Sequence, residues 1–332
     1  MSRNSCLWHE VSRHKHEFHR LGGESVRGAS GTIARVSSPA PDFRCAAASL
    51  LDTEPMGGTA PDEGAWLFVE YTGAWGRKAV AESRLPDDVR EFLDGLDGIR
   101  VQLVRRHGGV SGPGVRVFTA RLGAEPGVWS AVLADVAEVP TLDLARPDAD
   151  PRLTAYDTPL WLVCTNGRRD LCCAETGRPV AAALAARWPD ATWETTHLGG
   201  HRFAGTLVAL PSGYALGRLD PGTAVTACKE LEAGRLPLDV VRGRAGLPGA
   251  AQVAELHLRR ELGLEDLDDI AHVLDATVED VDGHSVTLDA AGTTYVVRVR
   301  AADGEPRRQS CGDPKTKPAR VYEIECWGKP DA

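Results

Sequence analysis

The chain has 332 residues, of which 47 are acidic and 38 basic, giving a formal net charge of -9. This length is sufficient for two or more domains, each with a hydrophobic core. The acidic balance gives no support to a nucleic-acid partner. No apolar run reaches about 18 residues, so no membrane-spanning helix is predicted.

The N-terminal residues and the cysteines indicate a compartment. Charged residues and histidines occupy the N-terminus, where a secretory signal would need an apolar run. Three of the eight cysteines fall within ten residues, Cys164 to Cys173. That uneven use is typical of a cytoplasmic metal or redox site rather than of a disulfide scaffold. We therefore predict a cytoplasmic protein.

The first 150 residues divide into two predicted units. Residues 1–38 lack apolar periodicity and are predicted to be a disordered tail. Residues 39–150 are predicted to form an N-terminal α/β domain. Its expected elements are, in order, a strand at Trp66–Tyr71, a helix at Leu85–Leu96, and strands at Ile99–Val104, Val115–Leu122 and Val128–Val136.

A second α/β unit is predicted over residues 151–235, after a linker placed at 140–158. Its expected elements are a strand at Leu160–Cys164, a helix at Pro179–Trp188, strands at Thr192–Thr196, Thr206–Leu210 and Tyr214–Leu219, and a helix at Thr223–Glu232. This order is that of a thioredoxin-like domain. The N-terminal domain shows much the same order, so we predict that it is a degenerate thioredoxin-like copy.

Residues 236–332 are predicted to be a small α+β region, helical at first and then containing a β-hairpin. Two or three helices are expected, the clearest at Pro248–Leu262. The hairpin pairs Ser285–Leu288 with Thr293–Val299, and a last strand is expected at Val321–Trp327. The predicted fold class of the whole chain is therefore α/β (α+β).

Four residues of the second unit are candidate metal ligands: Cys164, Cys173, His197 and His201, in the pattern C-x8-C followed by H-x-G-G-H. In a thioredoxin-like sheet the loops that carry them meet at one end. Gly199 and Gly200 allow a sharp turn between the two histidines. The residues alone leave three interpretations of the site open: a structural zinc ion, a [2Fe–2S] cluster, or a redox pair of Cys164 with Cys172 or Cys173.

The segment that carries this pattern resembles the ferredoxin domain of the sucrase/ferredoxin-like family. The resembling residues are CTNGRRDLCC (164–173), HLGGHRFAG (197–205) and LVALPSGYALGRL (207–219). Further similarity lies around Cys45, in EPMGGTA (54–60) and EYTGAWG (70–76), and in SCG (310–312). The resemblance implies a [2Fe–2S] cluster bound by Cys164, Cys173, His197 and His201. Cys172 is the alternative to Cys173.

By the same resemblance the expected function is one-electron transfer to redox partner proteins, at a moderate and pH-dependent potential. Two alternatives stay open: a zinc-stabilised structural or interaction domain, and a thiol-disulfide oxidoreductase. Sugar hydrolysis is not expected, because the sequence shows no pair of carboxylates suited to it. Cys45 and Cys311, far apart in the chain, are interpreted as ordinary thiols without partners.

Overall fold

The computed structural model describes residues 9–10, 43–109, 111–123, 126–270 and 273–330. The predicted disordered tail, 1–38, thus lies outside the described residues except at His9–Glu10, which pair with the last strand of the chain. In the described part, the α-helices in order are α1 (Cys45–Leu51), α2 (Asp87–Asp94), α3 (Leu171–Arg187), α4 (Pro221–Glu232) and α5 (Gly249–Leu262).

The strands of the described part in chain order are β1 (His9–Glu10), β2 (Ala65–Glu70), β3 (Ile99–Arg106), β4 (Val115–Arg121), β5 (Gly127–Leu133), β6 (Thr154–Ala155), β7 (Leu160–Cys164), β8 (Thr192–Thr195), β9 (Leu207–Leu210), β10 (Tyr214–Leu216), β11 (Val241–Arg244), β12 (Val273–Val278), β13 (Gly283–Ala290), β14 (Thr293–Asp303), β15 (Arg307–Ser310), β16 (Asp313–Lys317) and β17 (Arg320–Gly328).

A ten-stranded sheet in the order β11-β10-β9-β7-β8-β3-β2-β4-β5-β6 runs through both predicted α/β units. The units are joined where β3 pairs antiparallel with β8, with Val104 opposite Thr195. Mixed pairing and helices packed on the sheet make the protein a mixed α/β fold, consistent with the predicted α+β thioredoxin-like class. The predicted domain boundaries stay predictions.

Strand β7 lies inside this sheet and reads LWLVC, a continuous apolar run. All five of its residues are buried, as expected for a strand covered on both faces. It pairs parallel with β8 and antiparallel with β9. Because neighbouring parallel strands point the same way, Cys164 at the end of β7 and the residues after β8 lie at the same edge.

Helix α3 begins eight residues earlier than the sequence predicted. Pro179, which was expected to open the helix, lies inside it. The actual N-cap is Asp170, whose side chain accepts a hydrogen bond from the backbone N–H of Cys172. Cys172 and Cys173 therefore lie on the first turn of a helix and not in a loop, which corrects the prediction.

Beyond Leu236 the described chain is mostly β-structure, in contrast to the predicted helical region. One α-helix, α5, packs on a five-stranded sheet in the order β1-β17-β14-β13-β12. The predicted hairpin is present as β13 and β14, joined at Ala290↔Thr293. A separate hairpin, β15–β16, follows. No helix in the described residues is long and apolar enough to cross a membrane.

Candidate metal centre

Three of the four predicted ligands converge at the edge of the large sheet. The Sγ atoms of Cys164 and Cys173 lie 3.9 and 3.7 Å from Nδ1 of His197. These three ligand atoms all lie within 4.8 Å of one another. Both cysteines are buried, whereas His197 is partly exposed. The arrangement places sulfur donors inside and an imidazole towards the surface.

His201, the fourth predicted ligand, lies on the other side of His197. Its Nδ1 is 3.3 Å from Nε2 of His197, but it does not join the group of three. Its Nε2 is buried and has no hydrogen-bond partner in the described structure. Burial, reinforced by the neighbouring His197, lowers the pKa of His201 to about 4. The imidazole is therefore neutral at pH 7, which is the form that binds a metal.

The pKa values of the two cysteine thiols are shifted in opposite directions. A hydrogen bond from Cys173 lowers the pKa of Cys164 well below its usual range; burial opposes the shift, and His197 assists it. The pKa of Cys173 is raised in turn, because its thiol donates a hydrogen bond to Cys164 and is buried, and the charge of Cys164 adds to the shift. Cys164 is therefore the thiolate of the pair, and the thiolate is the form of cysteine that binds a metal.

The Gly199-Gly200 turn between the histidines is built around a buried arginine. Both glycines have positive φ, +84° and +66°. A Cβ atom on Gly200 would lie 2.4 Å from Nη2 of Arg242, far inside contact distance. Arg242 is fully buried and donates to the Gly199 carbonyl at 3.3 Å and to Oγ1 of Thr59 at 3.1 Å. The glycines thus make room for a guanidinium.

Arg242 is a component of the centre that the sequence prediction missed. Burial, together with Arg202 and Arg100, lowers its pKa to about 9, so it remains a cation at pH 7. It interacts electrostatically with Cys164 and Cys173 and partly offsets the negative charge of thiolates there. The sequence gives no local signal for it, because β11 reads VRGR, which is typical of a polar surface strand.

Beneath the centre, Glu194 of β8 ties together three segments. Its buried carboxylate accepts hydrogen bonds from Arg105 and from Oγ1 of Thr165, the residue after Cys164, each at 2.9 Å, and lies 2.9 Å from Nδ1 of His107. Arg100 adds a hydrogen bond of 3.2 Å to the backbone carbonyl of His197. The two ligand-bearing segments are therefore held to β3.

Cys172, the alternative ligand, faces away from His197 and towards a second group of thiols. Its Sγ lies 3.8 Å from that of Cys45 and 3.3 Å from that of Cys311. The interpretation of Cys45 and Cys311 as isolated thiols was therefore wrong. Their sequence separation of 266 residues hid the contact, which only the tertiary fold produces.

Solvent reaches the candidate centre at His197. A surface depression of about 550 Å³ is bordered by His197, Asn166, Thr196, Arg77 and Lys78. His201 has a side chain that is 16% exposed. Any partner that approaches the centre would therefore meet the imidazole side first, while the cysteines stay covered.

Fold and site together define a mixed α/β protein with cysteine–histidine groups capable of holding a metal. The chain belongs to the sucrase/ferredoxin-like family, whose model matches residues 56–243. No curated protein and no solved structure matches the chain. The family match contains Cys164, Cys173, His197 and His201, whereas Cys45 and Cys311 lie outside it.

Proposed function

We propose that this protein is a one-electron carrier whose [2Fe–2S] cluster is bound by Cys164, Cys173, His197 and His201. The observation that carries the proposal is the convergence of two buried thiols and one imidazole within 4.8 Å, with a second imidazole 3.3 Å beyond the first. Membership of the sucrase/ferredoxin-like family agrees with it.

The four donor atoms fit a [2Fe–2S] cluster both in their chemistry and in their spacing. Two thiolates and two neutral imidazoles are accepted by [2Fe–2S] centres. A single tetrahedral zinc ion would bring all four donor atoms within about 3.8 Å of one another, given Zn–S bonds of about 2.3 Å. His201 does not lie within 4.8 Å of all the other three donors. The elongated order of sulfurs, His197 and His201 therefore favours two metal atoms over one.

When bound, the cluster supplies reversible one-electron transfer. The chain's own residues set its surroundings: the cysteines are buried, His197 borders the surface depression, and Arg242 provides a buried positive charge. Neutral imidazoles in place of two thiolates reduce the negative charge at the centre and favour the reduced form. The expected potential lies at about -150 to +300 mV, above the roughly -400 mV of plant-type all-cysteine ferredoxins.

Zinc is the second candidate, and one specific contact favours it. His197 directs Nδ1 to the two sulfurs and Nε2 to His201. This is also the arrangement of a three-ligand zinc site in which the outer histidine orients the inner one. In that case the protein would be a structural or interaction module and would carry no electrons.

The experiment that separates the candidates is a count of iron, zinc and acid-labile sulfide, with a visible spectrum, on protein purified without a metal-affinity tag. We expect two irons and two sulfides per chain and absorption between roughly 400 and 600 nm. Cys173→Ser should remove the iron, while Cys228→Ser, a change at a buried thiol on α4, should retain it. A protein that is colourless after anaerobic purification, and that loses zinc on Cys173→Ser, would refute the proposal.

A further inference from the structure

The second group of thiols forms a compact triangle outside the proposed cluster site. The three Sγ–Sγ distances are 3.8 Å for Cys45–Cys172, 3.3 Å for Cys172–Cys311 and 3.6 Å for Cys311–Cys45. Zinc–thiolate bonds of about 2.3 Å in tetrahedral geometry place sulfurs about 3.8 Å apart. The triangle therefore has the size of a single-ion site. Three separate parts of the chain contribute to it.

A carboxylate lies beside the triangle at the distance that a fourth ligand requires. Oδ1 of Asp170 is 3.5 Å from Sγ of Cys45, and a ligand atom of Asp170 lies within 4.8 Å of all three sulfurs. Its other oxygen, Oδ2, accepts hydrogen bonds of 2.8 Å from Oγ of Ser310 and from the backbone N–H of Cys311. Oδ1 also accepts a hydrogen bond of 3.0 Å from the backbone N–H of Cys172. Both oxygens are thus held by the protein, and Oδ1 is the one that lies next to Sγ of Cys45.

Positive and N–H groups lie beside the triangle. The backbone N–H of Cys45 donates to Sγ of Cys311 at 3.4 Å. The Arg44 guanidinium interacts electrostatically with Cys172 and Cys311. Arg308 donates to the carbonyl of Cys311 at 3.0 Å. These positive and N–H groups offset the negative charge that three thiolates and a carboxylate bring to a zinc ion.

We propose that Cys45, Cys172 and Cys311, with Oδ1 of Asp170, bind one zinc ion in a structural site. The site is distinct from the proposed cluster, although Cys172 and Cys173 are neighbours in the chain and Nε2 of His201 lies 3.9 Å from Oδ2 of Asp170. A larger iron–sulfur cluster does not fit, because its cysteines bind different irons and lie much farther apart. A disulfide would use two of the thiols and leave the third unexplained.

The ion would fasten the C-terminal hairpin to the rest of the fold. Cys311 lies in the turn of the β15–β16 hairpin, Cys45 opens α1, and Cys172 lies on the first turn of α3. Hydrogen bonds from Ser310 and the backbone of Cys311 to Asp170 already align this turn. Zinc would thereby fix the helical turn that also carries Cys173 and would hold the hairpin over it.

The test is zinc content per chain in the full-length protein, measured together with iron and sulfide, for wild type and for Cys45→Ser, Cys311→Ser and Cys228→Ser. We expect about one zinc per chain in wild type and in Cys228→Ser, the matched buried-thiol control. Cys45→Ser and Cys311→Ser should each lose the zinc, with iron and sulfide unchanged. Zinc that is retained in both Cys45→Ser and Cys311→Ser would be bound elsewhere and would overturn the proposal.

A chelator titration of wild type serves where the serine variants do not fold. Removing the zinc should make three thiols newly reactive to an alkylating reagent, identified by mass spectrometry as Cys45, Cys172 and Cys311. The visible absorption should stay constant meanwhile. A wild-type protein that contains no zinc, a Cys172–Cys311 disulfide in the protein as purified, or more than two irons per chain would each overturn the single-zinc site.

Discussion

The turn between the two histidines allows a quantitative test of how the centre is built. Gly200 has φ +66°, and an added Cβ would lie 2.4 Å from Nη2 and 2.7 Å from Cζ of Arg242. Gly263, at the C-terminus of α5, has nearly the same φ, +68°, but no atom within 4 Å of its Cβ position. Gly263→Ala therefore isolates the backbone strain, while Gly200→Ala adds the collision with Arg242.

The expected sizes follow from the two contributions. An alanine in the left-handed region costs about 1–2 kcal/mol, and this is the whole effect expected for Gly263→Ala. At Gly200 the guanidinium must also move away from Thr59 or the Gly199 carbonyl. Losing one hydrogen bond of a buried charged group costs about 1.5–3 kcal/mol. We therefore expect Gly200→Ala to lower the free energy of unfolding by about 2.5–5 kcal/mol in total.

The assay is urea denaturation followed by tryptophan fluorescence, with iron counted on the same samples. Gly200→Ala should be the less stable variant by about 1.5–3 kcal/mol, and it should retain less iron because the backbone before His201 is displaced. Equal destabilisation of the two variants would show that Arg242 does not support the turn and would refute the reasoning.

Three further predictions follow from other parts of the structure. Hydrogen bonds from Arg105, His107 and Thr165 outweigh burial and lower the pKa of Glu194, so the ionised carboxylate stabilises the fold at pH values above its ordinary pKa of 4.5. The difference in urea midpoint between wild type and Glu194→Gln should be full at pH 7 and should shrink as the pH falls below 4.5. A difference independent of pH would contradict this. Glu255→Ala should lower the free energy of unfolding by about 3–5 kcal/mol, because the carboxylate lies 2.7 Å from Arg244 and 3.2 Å from Arg259. The control, Glu232→Ala at an exposed position, should change the free energy of unfolding by less than about 0.5 kcal/mol. Similar losses in the two variants would count against the buried pairing. His201→Cys should shift the visible spectrum and lower the reduction potential by on the order of 100 mV, measured by a redox titration; an unchanged potential would show that His201 is not a ligand.

The parts of the fold that sequence predicted well are those with strong local signals. The apolar runs of β2 and β7 and the Pro-Ser-Gly turn between β9 and β10 are local patterns, and the structure has them in the expected order. Helix α3 was placed too late because proline is favourable on a first turn, whereas Asp170 supplies the actual cap. The strands after α5 were harder to predict, because many of their residues are partly exposed and the apolar signal is weak.

The candidate centre shows the same division between local and long-range information. The C-x8-C and H-x-G-G-H spacings identified four residues that the structure places close together or in line. Arg242 follows His201 by about 40 positions, and Cys45, Cys172 and Cys311 are separated by 127 and 139 residues. No local pattern joins such residues, since only the packing of α1, α3 and the β15–β16 hairpin brings them into contact.

The central claim is that a [2Fe–2S] cluster is held by two cysteines and two histidines, and pulsed electron paramagnetic resonance of the reduced protein tests it most directly. The account predicts a signal from a single unpaired electron with hyperfine coupling to two imidazole nitrogens, of which one is lost in His197→Cys and the other in His201→Cys. A reduced protein with no such signal, or with a cluster signal that lacks nitrogen coupling, would contradict the account.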